Sequence, residues 1–98
     1  MVESIISPWQ ERAEFYENAL VEVASPTFWL DLCRYPQKEY FEWRVVRVGE
    51  APEMIDIVGI GTDHILAMNG MDEAHQRAYL RDTFKPYFDL LRRNMGLG

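Results

Sequence analysis

Acid–histidine combinations are the residues of this chain whose types and spacing come nearest to a reactive site. Asp63 and His64 are adjacent, and Asp72 precedes His75 by three positions. A carboxylate beside an imidazole can orient a general base, and the two residue types together can bind a metal. Adjacent strand residues point to opposite faces, however, and this spacing matches no familiar ligand pattern. We therefore expect no catalytic residue, no metal site and no cofactor, and interpret both histidines as surface or helix-start residues.

Two short motifs indicate nucleotide chemistry, and neither has the context that this chemistry needs. Asp72-Glu73-Ala74-His75 is the tetrapeptide of the DEAH-box helicases, but the chain has no GxxxxGK[ST] phosphate loop and is too short for paired motor domains. Gly59-Ile60-Gly61 matches half of a dinucleotide fingerprint whose third glycine is absent. We interpret the tetrapeptide as a helix start with acids at its positive end, and the glycines as a strand end.

The stretch from Glu39 to Met68 organises the predicted fold. It contains three runs of strand length that are rich in β-branched and aromatic residues and bounded by Gly, Pro or Asp. These runs, 39–48, 54–60 and 65–68, predict a three-stranded antiparallel meander. The apolar phase switches near Val45-Val46, which indicates either a bulge or a strand that is partly covered on both faces.

Helical signals lie on both sides of the predicted meander. Ser7-Pro8 followed by apolar residues at helical spacing predicts a first helix, and Ser25-Pro26 predicts a short, buried second helix that includes Cys33. The segment from about Asp72 to Asn94 predicts a long last helix, kinked or split at Pro86. The expected fold is a single α+β domain over residues 1–98, in the order ααβββα.

The predicted core takes one face from each helix and residues of the meander. Leu80, Phe84, Phe88 and Leu91 share one face of the last helix. Tyr79 and Leu90 form a second, weaker stripe on the opposite side, which one small core does not need. The full predicted core is Trp9, Tyr16, Leu20, Leu30, Val45, Ile55, Ile57, Leu80, Phe84, Phe88 and Leu91.

Charge is distributed unevenly along the chain. The formal net charge is −6, from 10 basic and 16 acidic residues. Residues 1–36 hold six acids against two bases, whereas from Met71 onward five bases face four acids. A net-acidic surface argues against direct binding of nucleic acid, which needs clustered Lys and Arg. Without a signal peptide or a membrane-spanning run, and with one cysteine, we expect a soluble cytoplasmic protein.

These features favour a small, acidic, non-enzymatic protein–protein interaction module that acts as an inhibitor, adaptor or assembly factor. An acidic helix face suits a basic partner, as in immunity proteins and phage-encoded inhibitors that occupy nucleic-acid-binding sites. Tyr79 and Leu90 favour a contact between two copies, most simply a homodimer. The predicted partner-binding residues are Glu11, Glu14, Phe15, Glu22, Tyr79 and Leu90.

The alternative hypothesis is a small enzyme or ligand-binding domain. Its pocket would lie between the meander and the last helix, lined by Trp43, Tyr87 and His64. A closed apolar cavity with Asp63 and His64 converging on it would favour this alternative, and a solid core there would count against it.

Overall fold

Three helices and three strands make up the described part of the chain. The computed structural model describes residues 8–34 and 40–96, with the side chains of Pro8, Trp9 and Arg34 outside that description. The elements in chain order are α1 (Pro8–Ala24), β1 (Phe28–Arg34), β2 (Phe41–Arg47), β3 (Glu53–Ile60), α2 (Thr62–Ala67) and α3 (Glu73–Asn94). The strands form one antiparallel sheet in the order β1-β2-β3, so the predicted α+β class with a three-stranded meander is confirmed.

The predicted second helix is wrong: its residues form the first strand. Phe28 and Leu30 are buried while Trp29 is exposed, which is the period-2 alternation of a strand rather than a helical stripe. A short apolar run cannot be assigned by periodicity alone, and here pairing with β2 decides its conformation. Cys33, predicted to be buried, is exposed on this strand.

The predicted third strand is also wrong, because its residues belong to a helix. Residues 65–67 lie in α2, which begins after Gly61, and Met68 is its C-cap. Met68 is buried, whereas Leu66 is exposed. The order is therefore αβββαα instead of ααβββα, so the meander follows the first helix directly and two helices come after it.

One face of the sheet carries the core. Phe41, Trp43 and Val45 of β2 point to this face, together with Val58 and Ile60 of β3, and all are buried. We call it the covered face because α1 and α3 pack over it: Tyr16 lies edge-on against Phe41, and Phe28 lies beside Phe88. Among the described residues, the helices that build the core with this sheet lie on one side of it.

Helix α3 is continuous from Glu73 to Asn94 and includes Pro86, so the alternative of two split helices is wrong. The Asp72 carboxylate caps it by accepting a hydrogen bond from the backbone N–H of His75. Leu80, Phe84 and Phe88 are its buried residues. Pro86 is exposed, where the missing donor costs least.

Most of the predicted core is confirmed among the described side chains. Seven of its residues are buried, namely Tyr16, Leu20, Leu30, Val45, Leu80, Phe84 and Phe88. Ile55 and Leu91 are half-buried against this cluster. Ile57 was assigned wrongly, since 46% of its surface is exposed. Trp9 lies outside the described side chains. Among the described residues, no helix combines the length and apolar character that crossing a bilayer requires.

Candidate functional site

The uncovered face of the sheet, which we call the open face, carries large apolar side chains that the helices do not cover. Trp29 of β1, Val46 of β2 and Met54 of β3 stand in one row across the three strands. Trp29 and Met54 are 47% and 54% exposed, and Ile57 is 46% exposed. Val48 continues the alternation of β2 and is 52% exposed. We define the open-face patch as Trp29, Val46, Val48, Met54 and Ile57; Val46, between Trp29 and Met54, is the buried member at 8% exposure.

A bulge in β3 explains why Met54 and Ile57 share this face. They are three positions apart, so in a regular strand their side chains would point to opposite faces. Val45 pairs with Asp56 and Val46 pairs with Met54, which leaves Ile55 without a partner in β2. This extra residue restores Met54 to the open face. It lies in β3, whereas β2 pairs with β1 without a shift at Val45-Val46. Val45 and Val46 are both buried, on opposite faces, so the phase switch in β2 matches the other predicted alternative, a strand partly covered on both faces.

The rest of the open face is polar, and its charges are largely paired. Arg44 of β2 lies 2.6 Å from the carboxylate of Asp31 on β1, in the row that Ile57 completes on β3. Farther along, the Tyr40 hydroxyl donates to Glu42 at 2.6 Å above Gly59, whose missing side chain leaves room for both. The open face therefore combines an apolar patch with a nearly neutral polar end, which is typical of an interface centre beside a polar rim.

The acidic face of α1 is only partly available to a partner. Glu11 and Glu14 are exposed, as predicted. Phe15 is half-buried, with the guanidinium groups of Arg12 and Arg77 at 5.6 and 5.4 Å from its ring centroid. These cation–π contacts already use the ring that was predicted to bind a partner. Partner binding through Glu11, Glu14 and Phe15 stays a prediction.

Glu22, the fourth predicted residue of this face, pairs with α3 of the same chain. Its carboxylate lies 2.8 Å from Arg81 and 3.9 Å from Arg77. The acidic first third of the chain and the more basic last third thus meet within one molecule. A role for Glu22 in a partner interface stays a prediction.

The structure does not place Tyr79 and Leu90 in one exposed stripe. Tyr79 is half-buried, and its hydroxyl lies 2.9 Å from Nδ1 of His64 on α2. Leu90 is 46% exposed. α2 therefore covers part of the stripe that the sequence assigned to a second chain, although contact with a partner at either residue stays untested.

The acid–histidine pairs do not converge on one site. Asp72 accepts from the backbone and side chain of His75, and these hydrogen bonds hold the pKa of the Asp72 carboxyl below its usual range. Asp63 is exposed in the first turn of α2. Among residues 8–34 and 40–96, no group of three His, Cys, Asp or Glu side chains could hold a metal ion. The Asp72 pair serves as a helix cap.

The three residues proposed to line a pocket have separate neighbours. Trp43 is fully buried, and its indole N–H donates to Glu17 of α1. The Tyr87 hydroxyl donates to Asp56 at the sheet edge, and burial, followed by this hydrogen bond, raises the pKa of the Tyr87 phenol. His64 contacts Tyr79 and the ring of Phe84. Nothing in these contacts builds the predicted pocket.

A cleft of about 250 Å³ lies instead between the C-terminal end of α1 and α3. Arg92 crosses it and donates to the carbonyl oxygens of Val23 and Ala24 at 2.7 and 2.9 Å. Asp89 pairs with Arg92 and with Lys85, and its pKa is lowered by its hydrogen bond to Lys85 and by Arg92. The polar groups of this cleft thus pair mainly with the protein itself, and they join the two helices.

Sequence reasoning missed Trp29, Met54 and Ile57 as surface residues. The first was assigned to a buried helix and the last to the core. The signal was present in β3, where apolar residues at both parities indicated two apolar faces. Only the position of the helices shows which of those faces is left open.

Comparison of the chain with protein-family models, with curated proteins and with solved structures found no match. A fold class by itself does not specify a function. The features that can assign one are therefore those of the molecule's own surfaces, and the open-face patch holds four of the seven large apolar side chains that are exposed among the described residues.

Proposed function

We propose that this chain is a small, non-enzymatic protein–protein interaction module, of the kind that acts as an adaptor, assembly factor or inhibitor, and that it binds through the open face of its sheet. The observation that carries the proposal is the open-face patch. Trp29, Met54 and Ile57 leave about half of their surfaces in water although the covered face buries equally large residues completely. Burying such surface releases about 25 cal/mol per Å², so a partner that covers it gains affinity.

The composition of the patch supports a protein partner. Interface centres are enriched in Trp and Met and depleted of charge, and the open face has both residues in one row. Aromatic and long apolar side chains at the centre of such a surface are the usual sites of large binding energy. The bridged pair of Arg44 and Asp31 beside it supplies a polar border without an unpaired charge.

A second surface belongs to the same proposal. Glu11 and Glu14 are exposed on α1, on the opposite side of the sheet from the patch. A net charge of −6 favours encounter with a basic partner, which would explain the carboxylates as an attracting surface. The two surfaces can be tested separately, because residues of one can be substituted while the other keeps its wild-type residues.

The test is affinity capture from a lysate of the cells that encode the chain, with quantitative mass spectrometry. The baits are wild type, the open-face variant Trp29→Ser with Ile57→Ser, and the control Leu66→Ser, which changes an exposed leucine on α2. Glu11→Lys with Glu14→Lys tests the acidic face. Circular dichroism and thermal midpoints establish that each bait is folded.

A partner that wild type and Leu66→Ser capture, and that the open-face variant loses, supports the proposal; an untagged copy of the chain counts as such a partner. Loss only with the α1 variant would move the binding surface to the acidic helix. Identical captured proteins for all folded baits would overturn the proposal.

A further inference from the structure

We infer that the occupant of the open-face patch is a second copy of this chain, packed face to face about a two-fold axis. This inference rests on the proposed function and names the partner of the same surface. Three observations support it: where the charge of the chain lies, how the patch is arranged across the strands, and how large the face is.

The distribution of charge removes the main obstacle to pairing two acidic chains. Each copy carries a net charge of −6, and like charges at a contact repel. Glu11, Glu14 and Glu22 lie on α1, which packs on the covered face and points its carboxylates away from the patch. On the open face Arg44 neutralises Asp31. Face-to-face packing therefore joins the least charged surfaces and keeps the acids apart.

The mixed charge of the open face also makes a copy a better partner than a strongly basic protein. Arg44 and Asp31, whose side chains are 46% and 45% exposed, lie side by side on this face. A partner of one sign would leave one of these unopposed or repelled. A copy offers both signs in turn, as a self-complementary interface requires.

The row across the strands is self-complementary as well. Trp29 lies on one edge strand, Met54 on the other and Val46 between them. A two-fold axis along β2 reverses the strand order, so Trp29 of each copy lies over Met54 of the other. A contact between a thioether and an aromatic ring is favourable, and this arrangement forms two such contacts, each between Met54 of one copy and Trp29 of the other. The same axis brings the two copies of Val48 close together, and also the two copies of Arg44, each of which is paired with the Asp31 of its own chain.

The size of the face limits the strength of this contact. Strands of seven residues, as in β1 and β2, at a spacing of about 4.8 Å and a rise of about 3.3 Å per residue, give a three-stranded face of about 330 Å² in projection. Two such faces give about 660 Å² in projection, which is below the size of standard specific interfaces and fits only a weak, transient contact. We therefore expect a reversible dimer whose population depends on concentration.

The first experiment is sedimentation velocity on the purified full chain across a dilution series. Wild type should pass from monomer to dimer as its concentration rises. Met54→Lys with Ile57→Lys should raise the dimer dissociation constant at least about tenfold, because each substitution acts twice in a two-fold interface. The matched control is Leu66→Lys with Leu90→Lys, which adds the same charge at two exposed leucines of α2 and α3 and should dimerise as wild type does.

The second experiment probes the axis and does not depend on a destabilising change. In a Cys33→Ser background, Val48→Cys should be cross-linked to a covalent dimer by a short bismaleimide, and Leu66→Cys should not. A bismaleimide is used instead of a direct disulfide bond because packed sheets are about 10 Å apart, which a disulfide cannot span. Diluting the protein should abolish the product.

A wild type that stays monomeric up to its solubility limit would overturn the inference. So would a dimer that the Leu66 and Leu90 variant dissociates and the Met54 and Ile57 variant does not, which would place the contact on the helices. If the purified chain is monomeric while cell lysate capture yields a different protein dependent on Trp29 and Ile57, the inference fails and the proposed function stands. If neither experiment depends on the patch, both fail.

Discussion

The two faces of this sheet are built from the same strands but differ in how far their large apolar side chains are buried. On the covered face Trp43 is fully buried, and even its indole N–H has a partner in Glu17. On the open face Trp29, Met54 and Ile57 are each about half exposed. The covered face supplies the stability of the monomer, whereas the apolar side chains of the open face contribute little until something packs on them. The same residue types thus serve folding on one side and recognition on the other.

The largest contrast should come from the two tryptophans. Trp43→Ala should lower the free energy of unfolding by about 3–5 kcal/mol, because it empties a fully buried site. Trp29→Ala should cost no more than about 1.5 kcal/mol, since about half of that side chain is already in water. Urea unfolding of both variants at low protein concentration measures the difference. Equal costs would show that the open face is as essential to the monomer as the covered one.

The next largest loss of stability should follow substitution of Arg92, because its side chain joins α3 to the end of α1 on the covered face. Its guanidinium donates to the carbonyl oxygens of Val23 and Ala24 and its Nε to Thr27. Arg92→Ala leaves these acceptors without their charged donor and should cost about 1.5–3 kcal/mol. Arg93→Ala, at an exposed neighbouring position, is the control and should be neutral within about 0.5 kcal/mol in the same urea titration.

Tyr87 joins α3 to β3, and its ionisation makes the contribution of this contact to the free energy of unfolding depend on pH. Tyr87→Phe removes the hydrogen bond to Asp56 and should cost about 1 kcal/mol near pH 7. The pKa of Tyr87 is raised in the folded state, so its contribution is complete below the unfolded pKa of about 10 and is lost as pH rises above it. The gap between wild type and Tyr87→Phe should therefore narrow between pH 9 and pH 11.

That pH dependence can be checked by urea midpoints of the two proteins measured at matched pH values, because ionisation of the other tyrosines affects both alike. A gap that stays constant to pH 11 would show that the phenol of Tyr87 is not held neutral by its site.

The smallest effect on stability should come from the patch itself. Met54→Ser with Ile57→Ser should change the free energy of unfolding of the monomer by less than about 1 kcal/mol, because both side chains are about half exposed. Thermal unfolding at low protein concentration measures it. A cost of several kcal/mol would place these residues in the core and remove the distinction between the faces.

The fold class was predictable because its signals are local and repeated. The strand runs predicted at 39–48 and 54–60 and the helical stripe of the last helix follow from residue periodicity, and the structure confirms them as β2, β3 and α3. Two short segments were assigned the wrong secondary structure: a predicted helix is a strand, and a predicted strand is a helix. Residues 28–33 and 65–68 are apolar runs too short for periodicity to separate helix from strand, so pairing with β2 and the position of Gly61 decided them.

The candidate site was not predictable to the same degree. Whether an apolar residue such as Trp29 or Ile57 is core or surface depends on which side the helices cover, and that is a property of the assembled layers. Tyr79 shows the converse: its helical position indicated an exposed stripe, but α2 folds back and binds it through His64. Charge complementarity within the chain, as between Glu22 and Arg81, was also hidden in the sequence, where the two are far apart.

The bulge at Ile55 has a consequence for how the length of this chain can change. In an ordinary strand, gaining or losing one residue exchanges the two faces and destroys either the core or the surface. Ile55 has no partner in β2, and the residues on either side of it already alternate correctly without it. Loss of that single codon would leave Met54 and Ile57 facing outward, while the same loss at Val58 would reverse every residue beyond it. Position 55 is therefore where β3 can shorten by one residue and keep both faces in register.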